Sequence, residues 1–167
     1  MLHIYAGDGK GKTTAAVGLA VRAAGQGLRV LFVQFLKGMP TGELESLRRL
    51  GLPCMWADAG EKFLFQMQEA ERAAYLAKQR QCFRKAVDAA ADYDMVVLDE
   101  GLDAMAAGAF TDEELLEEIE AKGDLEWILT GRSPAKRLAD RADYYSHIQS
   151  VKHPYKKGAA ARRGIEY

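Results

Sequence analysis

Apolar residues fall into short blocks separated by longer amphipathic stretches. Leu2-His3-Ile4-Tyr5 is the first block and predicts a strand over about 2–6. Leu28 to Phe35 is β-rich and apolar on both faces, as a strand buried in a parallel sheet should be. Met95-Val96-Val97-Leu98 and Leu125 to Thr130 have the same character, Tyr144 to Val151 reads as a last strand, and Pro53 to Ala57 as a weaker one. Between the blocks the spacing is helical. A helix is predicted over about 12–25, closed by Gly25 and Gly27. A loop at Lys37-Gly38-Met39-Pro40-Thr41-Gly42 leads to a short helix ending at Leu50, and residues 58–67 are irregular. Gln68 to Ala91 is a long helix with Leu76, Phe83, Val87 and Ala90 on one stripe. Thr111, with Glu114 three residues on, is a capping box for a helix through Lys122. Ser133 opens a helix to about Arg141, with Pro134 at its first position. Strands alternating with helices predict an α/β domain with a mainly parallel sheet. On such sheets ligands bind beyond the carboxyl ends of the strands.

Composition adds limits. The 167 residues suit one domain, and 49% hydrophobic with 28% charged residues is ordinary for a globular chain. A net charge of −1 gives no general attraction to nucleic acid or membrane. The acidic run Asp112 to Glu120 and the basic run Lys152 to Arg163 are read as solvated faces, with the second also a candidate cover for a site. Cys54 and Cys82 have no metal spacing and do not suggest a disulfide framework. A strand beginning at Met1 leaves no signal peptide, and no apolar run could span a bilayer, so the expected location is cytoplasmic. His3, His147 and His153 are dispersed, and the first two lie in strands where a structural role is expected.

The first strand runs into Ala6-Gly7-Asp8-Gly9-Lys10-Gly11-Lys12-Thr13-Thr14, followed by a helix. Strand, glycine loop, Gly-Lys-Thr and helix in that order form the context of a phosphate-binding loop, with Ala6 at the position usually held by glycine. Gly7, Gly9 and Gly11 let the backbone take positive φ and approach an anion. Successive N–H groups and the helix N-terminus then face the phosphates. Lys12 reaches the outer phosphates, and the Thr13 hydroxyl suits Mg²⁺. After the strand at 95–98, Asp99-Glu100 has the form of a Walker B element, with Glu100 either a metal ligand or a water-orienting base. Arg132, after Thr130-Gly131, is a candidate phosphate contact or a surface ion pair, and Lys37 a weaker candidate of the same kind.

The loop Gly7-Asp8-Gly9-Lys10-Gly11-Lys12-Thr13-Thr14-Ala15-Ala16 resembles that of the ATP:corrinoid adenosyltransferases. So do Val33-Gln34-Phe35-Leu36-Lys37-Gly38, Val96-Val97-Leu98-Asp99-Glu100, Leu129-Thr130-Gly131-Arg132, and the C-terminal Val151-Lys152-His153-Pro154-Tyr155 with Gly158 and Gly164-Ile165-Glu166-Tyr167. The resemblance covers the chain in order. It implies a three-layer P-loop domain of RecA-like type over 1–167, with a homodimer as the expected assembly. It also implies a reaction in which a cobalt(I) corrinoid attacks the ribose 5′ carbon of ATP and triphosphate leaves. ATP is expected in reversed orientation relative to other P-loop enzymes. Gly7, Asp8, Gly9, Lys10, Gly11, Lys12, Thr13 and Thr14, with Lys37 and Arg132, are then the expected nucleotide contacts. Lys12 and Lys10 would stabilise charge on the leaving triphosphate, and Thr13, Asp99 and Glu100 would hold Mg²⁺. Phe63 and Phe65 stand where the family packs an aromatic pair on the corrin; on an extended segment both rings would share one side. By residue type alone the same pair reads as core. An electron donor such as a flavodoxin is expected, as is neither nucleic acid nor membrane as a partner. The N-terminal extension that covers the site in better-known members is not expected here. Two other classes stay open: a P-loop ATPase or kinase acting on the γ-phosphate, and a non-catalytic nucleotide or corrinoid carrier.

Overall fold

The computed structural model describes the chain apart from residues 40, 58, 59, 61, 63, 155–157, 159, 166 and 167; Phe65 is described in its backbone alone. The strands are β1 (Leu2–Ala6), β2 (Val30–Gln34), β3 (Cys54–Trp56), β4 (Met95–Asp99), β5 (Glu126–Gly131) and β6 (Tyr144–His147). The helices are α1 (Lys12–Gly25), α2 (Gly42–Arg49), α3 (Glu69–Ala89), α4 (Gly101–Ala106), α5 (Asp112–Ala121) and α6 (Lys136–Arg141). The six strands form one sheet in the order β3-β2-β4-β5-β1-β6, and every pairing is parallel.

The side-chain period of two sorts the strands onto two layers. Leu2 and Ile4, Leu31 and Val33, Val96 and Leu98, and Trp127 and Leu129 face one core, shared with Cys82, Phe83, Ala86 and Val87 of α3 and with residues of α4, α5 and α6. Val30, Phe32, Met95, Val97 and Ile128 face the other, under Ala16, Ala20 and Ala23 of α1 and Leu44 and Leu47 of α2. The α1 alanines recur at helical spacing, and their small size lets that helix lie close on the sheet. In the first core Phe83 and Phe110 stack with ring centroids 4.0 Å apart, joining α3 to the segment before α5.

Several sequence expectations are corrected. Phe83, Val87 and Ala90 are buried as read, with Leu76 partly buried beside them, but the buried face of α3 also takes in Tyr75, Gln79, Cys82 and Ala86, and Ala90 lies in a 3₁₀ turn beyond the helix. Helix α6 begins at Lys136 with Ala135 as its extended N-cap, whose carbonyl accepts from the N–H groups of Leu138 and Ala139. Strand β6 stops at His147, since β1, the strand it pairs with, ends at Ala6. Helix α4 was not predicted; its six residues are too few to show a period. Leu64–Gln66 is a 3₁₀ turn inside the stretch expected to be irregular. The capping box at Thr111 forms as read, with Thr111 and Glu114 exchanging hydrogen bonds. No helix among the described residues is long and apolar enough to cross a membrane.

Candidate active site

Gln34 continues the Val30/Phe32 alternation, Asp99 the Met95/Val97 alternation, and Thr130 follows Ile128 on the same face. The pleat therefore sets three polar side chains on the α1 side of adjacent strands, at their carboxyl ends, with Gln34 in register with Asp99. All three are buried, and Asp99 links the other two. Thr130 Oγ1 donates to Asp99 Oδ1 at 2.7 Å, and Gln34 Nε2 donates to Asp99 Oδ2 at 3.1 Å. Gln34 also donates to Glu43 at 2.9 Å and accepts from the Thr41 hydroxyl at 2.9 Å, which anchors the start of α2. This network is complete, as a buried polar cluster must be to hold a single arrangement.

The glycine loop joins β1 to α1 above this row. Gly7 and Gly11 have φ of +124° and +115°. Gly9 does not; it is needed for closeness, because a Cβ there would stand 2.7 Å from the backbone of Gln149. Two loop N–H groups are already committed. Gly7 donates to the carbonyls of Gly131 and Arg132, and Gly9 donates to the Ile148 carbonyl at 2.9 Å. Asp8 accepts from the Ser150 N–H at 3.1 Å, so its carboxylate fastens the segment after β6 to the loop. The first intrahelical bond of α1 runs from Ala15 to Gly11, so the N–H groups of Lys12, Thr13 and Thr14 precede the ladder, as those of a first helical turn do. They are the donors that a phosphate would meet. Lys12 folds back on its own loop, 2.8 Å from the Gly9 carbonyl. Lys10 donates to the Ile165 carbonyl at 2.8 Å, which brings the C-terminal segment onto the loop.

Beyond β4 the chain turns at Glu100, and beyond β2 at Leu36. These are the two non-glycine residues with positive φ among the described residues, both at +56°. Glu100 donates its N–H to Thr130 Oγ1 at 2.9 Å, and Leu36 donates its own to Gln79 Oε1 at 3.1 Å. The two corners bring Lys37 and Glu100 into an ion pair. Burial pushes the Glu100 carboxyl up, against the pull of Lys37. Burial also lowers Lys37, but Glu100, Asp99 and Glu43 together hold it above its ordinary value. Trp56 donates to the Lys37 carbonyl at 2.9 Å and fixes that corner from β3.

These elements surround a cleft of about 1210 Å³. Asp8, Gly9, Lys10, Gly11, Lys12, Thr13 and Thr14 line it, together with Lys37, Glu100 and Arg132. Gly7 and Asp99 are buried behind the lining. Both carboxylate oxygens of Asp99 are taken by Thr130 and Gln34, so it braces the site from beneath. Oxygen donors that line the cleft near the loop include the Thr13 hydroxyl and the Glu100 carboxylate, with Asp8, Glu43 and Asp103 also on it. Such hard oxygen donors in small number fit Mg²⁺, which keeps water and phosphate as its other ligands. Among the described residues no three His, Cys, Asp or Glu converge as a protein-only metal cage.

Arg132 is exposed, and its N–H donates to Asp103 Oδ2 at 3.1 Å. Gly131 is required beneath it, because a Cβ there would press on Asp103 Oδ2 at 2.7 Å and on Leu102. Phe63 lies outside the described residues, as does the side chain of Phe65. The backbone of Leu64–Gln66 is 3₁₀ and not extended, so alternation does not place the two rings together. Lys62 and Leu64 do border the cleft. Sequence reading overlooked the roles of Gln34, Thr41, Glu43 and Thr130, although a polar residue continuing an apolar alternation was the signal. It also left His153 unassigned, and His153 lines the cleft.

The whole chain, residues 1–167, matches the family described as ATP:corrinoid adenosyltransferase BtuR/CobO/CobP. It is similar to the corrinoid adenosyltransferase CobA of Salmonella typhimurium, at 38% identity over 169 residues, covering all of this chain and 85% of that protein. It is also similar to the corrinoid adenosyltransferase of Pseudomonas aeruginosa, at 33% over 171 residues with 83% of that protein covered, again across all of this chain. The corresponding protein of Escherichia coli K12 is 34% identical over 169 residues, covering all of this chain and 85% of its own length.

Proposed function

The chain belongs to the ATP:corrinoid adenosyltransferase family, and from that premise we propose that its cleft is where the triphosphate of ATP and a cobalt(I) corrinoid are brought together. The reaction forms a bond between cobalt and the 5′ carbon of ATP and breaks the bond from that carbon to the triphosphate oxygen. Cobalt supplies the electron pair, and the triphosphate departs with the pair of the broken bond. No water is activated, so no general base is required. The site has to stabilise charge that grows on the leaving group and to hold the carbon in line with cobalt.

The observation that carries this reading is that Lys10, just before α1, and Lys12 and Thr13, at its start, line one cleft together with Lys37, Glu100 and Arg132. Lys12 and Lys10 would leave their carbonyl partners for the triphosphate, and the loop, Lys37 and Arg132 would complete its cradle. Gly7, Gly9 and Asp8 act by shaping the loop. Mg²⁺ held by Thr13 and Glu100 would supply further charge neutralisation, with Asp99 fixing Thr130 and, through it, the Glu100 corner. Phe63 and Phe65 are assigned to the corrin face, on the stretch whose Lys62 and Leu64 border the cleft. The proposal further comprises a single catalytic domain, a homodimer, a cytoplasmic setting and a one-electron donor such as a flavodoxin.

The test is product analysis. Protein, ATP, Mg²⁺ and chemically reduced cobalamin are combined without oxygen, and the products are separated by chromatography. Adenosylcobalamin and triphosphate in equal amounts are expected. ADP with phosphate would assign the cleft to γ-phosphate chemistry, and intact ATP bound without turnover would make the protein a carrier.

A further inference from the structure

The Lys37–Glu100 pair is among the less exposed ion pairs of the described residues; Lys122–Glu118 is as sheltered, but it joins neighbours one helical turn apart on α5 and its end, away from the cleft. Lys136–Asp140 and Arg49–Glu45 join neighbours one helical turn apart, with side chains 59–87% exposed. Such pairs are weakly held. The side chains of Lys37 and Glu100 are 32% and 29% exposed, and they lie just beyond the ends of two adjacent parallel strands, β2 and β4. Glu100 itself, and Leu36 just before Lys37, occupy left-handed backbone corners that L-residues adopt reluctantly. Each corner is held from outside: Leu36 by Gln79, the Lys37 carbonyl by Trp56, and Glu100 by Thr130. Gln79 is wholly buried, and among the described residues its Nε2 has no hydrogen-bond partner while its carbonyl oxygen accepts from the Leu36 N–H. The fold therefore maintains two strained corners whose joint product is one ammonium seated on one carboxylate.

Glu100 also has acidic company. Asp99 and Asp103 both act on it, and Asp99 and Glu43 act on Lys37. A partly buried acidic cluster of this kind needs a cation beside it. Lysine suits a temporary post: its charge is compact and its stem flexible, so it can leave without backbone movement.

We propose that Lys37 is a built-in stand-in for the divalent cation at Glu100. It neutralises that carboxylate in the nucleotide-free protein and is displaced when the cation arrives. Metal entry thereby frees the Lys37 ammonium into the cleft that the phosphate loop lines, so cation binding and delivery of Lys37 to the triphosphate are one coupled event. The proposal rests on the reading of Glu100 as a metal ligand.

Mn²⁺ is the probe, with free ion counted by electron paramagnetic resonance during titration of the nucleotide-free protein. Lys37→Met removes the competing cation at similar length, and it should bind Mn²⁺ more tightly than the parent, on the order of tenfold, the scale of one charge-assisted contact. Lys37→Arg should stay near the parent. Adding Glu100→Gln to Lys37→Met should erase the gain. Lys37→Met binding no tighter than the parent overturns the proposal, as does a gain that survives Glu100→Gln. If Lys37→Met does not fold, Lys37→Gln carries the same prediction with a smaller gain. A parallel titration with ATP present separates the two ideas. Glu100→Gln without effect there defeats the metal-ligand reading itself, whereas Glu100→Gln weakening Mn²⁺ alongside an unimproved Lys37→Met defeats the stand-in alone.

Discussion

At the amino ends of the strands, Asp94 accepts from the Arg29 N–H at 2.8 Å and pairs with the Arg29 guanidinium at 2.8 Å, while Asp143 accepts from the Leu2 N–H at 2.7 Å. At the carboxyl ends, Asp99 is fully buried under Thr130 and Gln34, and Glu100 sits on a left-handed corner against Lys37. Both ends use carboxylates to hold strand termini, yet the chemistry differs. The Asp94 carboxyl is held down to about 2, chiefly by its hydrogen bond from the Arg29 side chain. Burial pushes Glu100 the other way. A carboxylate in contact with water and an arginine stays charged without strain. One withdrawn from water stays charged only beside a cation, which makes that end the one able to receive an ion. The amino end is a set of latches; His3, stacked on Tyr144 at 4.5 Å and bonded to Glu126 at 2.8 Å, belongs to it.

The difference should be most visible in Lys12→Met. Its ammonium bonds to the Gly9 carbonyl of its own loop, so the fold should persist. Adenosylation should fall by roughly a hundredfold or more, the scale for loss of one transition-state donor. Near-parental turnover by a folded variant would remove Lys12 from the site. A smaller, conditional loss is expected for Phe63→Ala combined with Phe65→Ala. If these rings exclude the axial ligand of cobalt(II), the variant should fail with cobalt(II) and a mild reductant and recover most of its rate with pre-reduced cobalt(I). Equal failure with both cobalt states would return the phenylalanines to the core.

Thr130→Val sharpens the contrast within the sheet. It strips a donor from buried Asp99 and an acceptor from the Glu100 N–H. A loss of about 2–4 kcal/mol in urea unfolding is expected, for two buried groups left unpaired, together with a raised Mg²⁺ requirement. Loss of stability with an unchanged Mg²⁺ titration would mean that the network supports the fold and not the Glu100 corner.

The smallest effect belongs to the amino end. Because the folded Asp94 carboxyl lies below its ordinary 3.8, its contribution is fully present above that value and is lost as pH falls through about 2. Asp94→Asn should therefore unfold slightly more readily than the parent near neutrality, the two curves should merge in strong acid, and catalysis should be unaffected. A gap that persists in strong acid would show that the Asp94 charge is not what the Arg29 latch depends on.

Short-range chemistry was legible along the chain. Apolar blocks located the strands, Gly-Lys-Thr between a strand and a helix located the loop, and Thr111 with Glu114 located a helix start, because each depends on residues a few positions apart. The loop, Lys37, Glu100 and Arg132 could be named in advance for the same reason. Register decided the rest. Gln34 meets Asp99 only because β2 lies beside β4, and Thr130 reaches both Asp99 and the Glu100 N–H only because β5 lies on the other side. The need for glycine at position 9 arises from Gln149, at the far end of the chain, and the pairing of Lys37 with Glu100 arises from two strained corners that Gln79 and Thr130 hold. Contacts across such separations leave no local period in a sequence; they exist once strand order and register bring distant backbone groups within hydrogen-bonding distance.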